Sequence, residues 1–106
     1  MTKLLGILTA LMMTAGLAKA ADAKAGKASY DKACKSCHGV SGEPNAAIAK
    51  SLKLEMRHLG AKEVQALSDA ELKTIVTDGK GKMRPVKSVT GSAADDVVAY
   101  MRTFKQ

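Results

Sequence analysis

Cys34-Lys35-Ser36-Cys37-His38 is the stretch on which the reading of this chain turns. It holds both cysteines of the 106-residue sequence. Residues three apart share one face of a helical turn. Both thiols can therefore reach one edge of a single flat partner, each through a thioether to a vinyl group. His38 follows directly and can turn its imidazole toward an iron at the centre. The spacing C-x-x-C-H is the one used for covalent haem attachment.

Other uses of these residues fit less well. A thioredoxin-like C-x-x-C site sits in a βαβ context, and the chain has no β-branched runs that would build a parallel sheet. A structural zinc site takes four ligands. Here only His58 remains as another nitrogen donor, and there is no third cysteine. A disulfide closing so short a loop would stabilise little.

The N-terminus reads as a secretory signal peptide over residues 1–20. Met1-Thr2-Lys3 is a short positive start, Leu4 to Leu17 an apolar run, and Ala18-Lys19-Ala20 a small-x-small cleavage site. The run is too short to span a bilayer and polar sequence follows it, so no stable membrane anchor is expected. No cysteine lies near the cleavage site to carry a lipid. Residues 21–106 remain as one domain, near the size at which an apolar core alone is marginal. Aromatic residues make up 3% of the sequence and Trp is absent, so bulky core-fillers are scarce. A buried haem would supply the missing apolar mass. The 17 Lys and Arg against 10 Asp and Glu leave a positive balance even after Lys3 and Lys19 are removed.

The patterning predicts an all-α domain. Asp22 is placed to cap a helix from about Ala23 to Lys35, with Gly26, Tyr30, Ala33 and Cys37 along one face. Gly39 to Asn45 reads as a loop, Ala46 to Leu54 as a short helix, and Lys62 to Leu67 as another turn or two. Ser68-Asp69-Ala70-Glu71 is a capping box between Leu67 and Leu72, and Gly79 ends that helix near Asp78. After a loop from Gly79 to Gly91, Ser92 is placed to cap a last helix. Asp95 and Asp96 fall in its first turn, and Ala94, Val97, Val98 and Met101 form its apolar stripe.

This layout resembles the class I cytochrome c fold over nearly all of residues 21–106, and the pentapeptide is similar to that of small bacterial mono-haem c-type cytochromes. The resemblance implies N- and C-terminal helices that cross, with short helices and loops wrapping one haem c bound through Cys34 and Cys37. It implies His38 as proximal ligand. Gly26 and Tyr100 match the positions where a glycine of the first helix admits an aromatic of the last. Val98-Ala99-Tyr100-Met101 looks like the family's signature in that helix. Pro44 matches the loop proline whose carbonyl receives the ring N–H of the proximal histidine.

Met83 is the expected sixth ligand. It sits in Gly79-Lys80-Gly81-Lys82-Met83-Arg84-Pro85, where two glycines allow a loop to approach a flat ligand closely. The family usually has Met followed at once by Pro, and here Arg84 intervenes. His58 is the competing donor, Met56 lacks a glycine-rich approach, and Met101 falls on the apolar stripe as core filler.

The resemblance further implies a periplasmic electron carrier, not an enzyme, with both axial positions filled by protein. A gas-binding or sensing haem with an open or labile sixth position is the alternative. Peroxidase chemistry would call for a second haem motif, and the chain has one. Lys35, Lys80, Lys82, Arg84 and Lys87 would ring the exposed haem edge and steer an acidic redox partner. Export separates the chain from nucleic acid, so no nucleic-acid partner is expected.

Overall fold

The computed structural model describes residues 21–106; the leader expected over residues 1–20 lies outside them. Six helices follow in order: α1 Ala23–Ala33, α2 Lys35–His38, α3 Ala46–Leu52, α4 Lys62–Gln65, α5 Asp69–Asp78 and α6 Ser92–Arg102. The fold is all-α. Among the described residues there are no strands, only an isolated bridge between Lys80 and Met83. No helix among them is long and apolar enough to cross a membrane.

Side-chain caps explain where three of the six helices start. Asp22 Oδ1 accepts from the N–H groups of Lys24 and Ala25 at 2.9 and 3.3 Å. Ser68 Oγ accepts from Glu71 N–H at 3.1 Å, as the capping box predicts. Gly79 ends α5 at φ 80°, a left-handed φ that a side chain would strain.

Four boundaries differ from the sequence expectation: α3 ends at Leu52 and not Leu54, α4 ends at Gln65 and not Leu67, and two others differ in how the helix begins or breaks. The first helix does not run on to Lys35. It breaks at Cys34 (φ −120°, ψ −32°), and α2 starts afresh with the N–H groups of Cys37 and His38 bonded to the Cys34 carbonyl. Ser92 does not cap the last helix either. Gly91, at φ 56°, takes that position, and no side chain caps it.

The frame is the crossing of α1 and α6. A Cβ on Gly26 would collide with the Asp96 carbonyl, so the two backbones touch there. The partner of Gly26 is thus the α6 main chain. Tyr100 instead meets Tyr30, one turn further along α1, with ring centroids 5.3 Å apart. Phe104 closes an edge-to-face triad with both, and these are all the aromatic residues of the chain. Such pairs add about 0.5–1.5 kcal/mol each beyond the area they bury.

Leu72 and Val76 of α5 pack against Ala94, Val97, Val98 and Met101 of α6. Arg102 fastens the other side: its guanidinium donates to the carbonyls of Gln65 and Leu67 and to Asp69 Oδ1 at 2.7–3.0 Å. It thereby binds the end of α4 and the start of α5 to the end of α6.

Gly26→Ala tests the crossing. The new methyl meets backbone, which cannot rotate aside, so the loss should reach the upper end of overpacking costs, about 3 kcal/mol. Urea denaturation of the haem-loaded protein measures it. A change below about 1 kcal/mol would mean that the helices part without penalty.

Candidate haem site

The break at Cys34 aims the pentapeptide into a cavity of about 1330 Å³. Cys34, Cys37 and His38 all line it. So do Ile48 and Leu52 of α3, Val64 of α4, Ile75 of α5 and Met101 of α6. Protein interiors hold few voids larger than a water molecule. A space of this size, bordered by most of the helices, is room for a large apolar group and not a packing defect.

The two cysteines are free thiols. Burial, with a smaller push from Cys37, raises the Cys34 thiol to about 11, so it stays protonated at neutral pH. Burial also lowers the pKa of His38. Its imidazole is held neutral, which is the form that can give a lone pair to a metal.

Tyr30 supports this turn from beneath. It is fully buried, and its hydroxyl lies 3.0 Å from the His38 carbonyl and 2.7 Å from the Gly39 carbonyl. Burial raises the phenol well above its usual pKa, so it remains a donor. The aromatic triad at the helix crossing is thus tied directly to the peptide that carries His38.

His38 Nδ1 is buried and has no hydrogen-bond partner. The expected bond to the Pro44 carbonyl is therefore not made in this structure. The next residue makes the ties instead. Asn45 donates its backbone N–H to the Cys37 carbonyl at 2.9 Å and its Nδ2 to the Ser36 carbonyl at 3.0 Å. Its Oδ1 caps α3 through Ala47 and Ile48. An Asn before an alanine-rich start is a cap signal; its double tie back to the pentapeptide carries no sequence signal.

Of the candidate sixth ligands, Met83 and Met56 both line the cavity. His58 does not. Its Nδ1 accepts from Gly60 N–H at 2.8 Å and its Nε2 lies 3.4 Å from Gln106 Nε2. The ring thus belongs to the corner where Gly60 meets the C-terminus. Met83 sits in a tight turn closed at both ends, with Lys80 and Met83 exchanging backbone bonds at 2.9 and 3.0 Å. Lys80, Lys82, Arg84 and Lys87 are exposed along the same rim.

Residues 21–101 match the family model described as cytochrome c oxidase, cbb3-type, subunit III. The chain belongs to that family. It is a small c-type cytochrome domain, and the family's chemistry is haem-based electron transfer. A solved structure, KustC0563 c-type cytochrome, is similar at 30% identity over 76% of this chain and 98% of that chain, with a TM-score of 0.65. No curated protein matches the chain.

The family implies a covalently bound haem c, and the residues present fit it. Two free thiols with the attachment spacing, a buried neutral imidazole and a large apolar cavity converge in one place.

Tyr30→Phe isolates the support under His38. It keeps the ring and removes the one O–H donor that the two carbonyls share, which should cost about 1–3 kcal/mol. Equilibrium denaturation reads the difference, and a loss under about 0.5 kcal/mol would show that the carbonyls find other donors.

Proposed function

We propose that residues 21–106 form a single-haem electron carrier of the periplasm, released there by removal of residues 1–20. His38 is its proximal ligand and Met83 its sixth. The observation that carries this reading is that Cys34, Cys37, His38 and Met83 border one cavity.

The bound haem supplies an iron that gains and loses one electron. The protein does the rest. Cys34 and Cys37 would hold the group by two thioether bonds, so that it could not leave between partners. His38 presents a neutral imidazole on a turn fixed by Tyr30 and Asn45. Met83 offers a soft thioether, which favours a higher reduction potential than a second imidazole would. Ile48, Val64 and Ile75 would give the haem an apolar surround on the inner side of the cavity. Were His38 and Met83 both to bind the iron, no position there would remain for a substrate, which supports a carrier over an enzyme. Lys80 and Lys87 stand free on the rim, placed to attract an acidic redox partner.

The ligand assignment has an optical test. Oxidised protein should show the weak far-red sulfur-to-iron band. Met83→Ala should abolish it, lower the reduction potential and open the iron to carbon monoxide, whereas His58→Ala should leave all three nearly unchanged. Survival of the band in Met83→Ala would transfer the role to Met56. Rapid carbon monoxide binding by the unaltered protein would replace the carrier with a gas-binding function.

Docking is tested separately. Lys80→Glu combined with Lys87→Glu should slow electron transfer to an acidic partner and reverse the effect of added salt. Unchanged rates at low ionic strength would reduce these lysines to a solvated face.

A further inference from the structure

Helix α3 covers part of the cavity but buries none of its own residues. Ile48 and Leu52 face the cavity, and the helix is held chiefly at its two ends. At the N-terminal end, Asn45 binds it to the haem-attachment turn. The C-terminal end closes with Lys53 in the left-handed region at φ 54°, the one non-glycine residue at positive φ among those described. The N–H of Leu54 then reaches back to the Ala49 carbonyl at 2.9 Å, the pattern of a Schellman stop. A lysine pays a steric penalty there that a glycine would not.

The Leu52 carbonyl, at the end of α3, accepts a hydrogen bond from Lys82 Nζ, thirty residues away. A cation at a helix C-terminus is favoured by the helix dipole, and a charged donor gives a stronger bond than a neutral one. Lys82 directly precedes Met83 in the turn closed by Lys80 and Met83. One side chain therefore joins two separate walls of the cavity, α3 and the Met83 turn.

We propose that Lys82 is a positioning residue: it latches the Met83 turn to the end of α3 and so holds both over the haem site. This rests on Met83 as sixth ligand only for its effect at the iron. Lys82 keeps its charge and stays exposed on the rim, so the latch is a role beside any part it has in docking. Lys80 and Lys87 have no such bond and stay available to a partner.

The test uses the haem-loaded protein with no redox partner present, so a docking role cannot contribute. Lys82→Leu removes the donor and introduces no new iron ligand; Lys82→Arg keeps a charged donor. Amide hydrogen exchange over residues 49–54 should quicken about tenfold in Lys82→Leu, stay near wild type in Lys82→Arg, and be unmoved by Lys87→Leu. Imidazole should also displace the sixth ligand several-fold faster in Lys82→Leu, followed through the far-red band. Unchanged exchange in Lys82→Leu overturns the latch. Faster exchange with unchanged imidazole entry overturns the positioning of Met83. Absence of the band from the wild-type protein would instead refute the Met83 assignment, and the exchange arm would still decide the latch.

Discussion

The contact between the backbones of α1 and α6 at Gly26 and Asp96 sets everything else in this domain. It brings together segments seventy residues apart in the chain. It fixes where Tyr30 stands, and through the Tyr30 hydroxyl it fixes the peptide of His38. It also brings Tyr100 and Phe104 onto Tyr30. Closing so long a loop costs entropy before any contact rewards it. The aromatic triad and the aliphatic stripe of α6 are the return on that cost, and through Tyr30 and Met101 they reach the cavity wall as well.

The other side is organised around the cavity. Its walls are α3, the Met83 turn and the cavity-facing residues of α4 and α5, and they meet one another far less than α1 meets α6. The core follows the same division: Tyr30 and the α6 stripe are buried, while Ile48 and Met83 are half-buried and Leu52 is exposed. A domain of this kind is stable where helix meets helix and depends on its cofactor where helix meets space. Shape and chemistry agree on what fills that space, since the thiols, the imidazole and the aliphatic side chains border the same volume.

Much of this was legible in the sequence because it is local. The C-x-x-C-H spacing, the caps at Asp22 and Ser68 and the α6 stripe each involve residues within one or two helical turns. The resemblance, not the periodicity, marked Gly26 as a close-approach position; the atoms nearest it are the Asp96 and Val97 main chain, while the Tyr100 ring packs on Tyr30 one turn away. Arg102, Phe104 and Lys82 act across about thirty residues or more, where periodicity carries no information. His58 illustrates the converse. As a residue type it was a credible iron ligand, and only the tertiary arrangement, which commits its ring to Gly60, takes it away from the cavity. The Pro44 expectation is not met: His38 Nδ1 has no hydrogen-bond partner, and the ties between this loop and the pentapeptide run from Asn45 to the Ser36 and Cys37 carbonyls.

The buried Cys34 thiol bears on the order of events in the life of the chain. Once the helices have closed, that thiol is shielded and protonated, with its pKa near 11, and buried thiols of this kind are chemically inert. Two new carbon–sulfur bonds are therefore made most readily on a chain that is still open. Cys37 is only half-buried, so in the closed chain Cys34 is the harder of the two thiols to reach, and the same burial would shield a completed linkage there from oxidants.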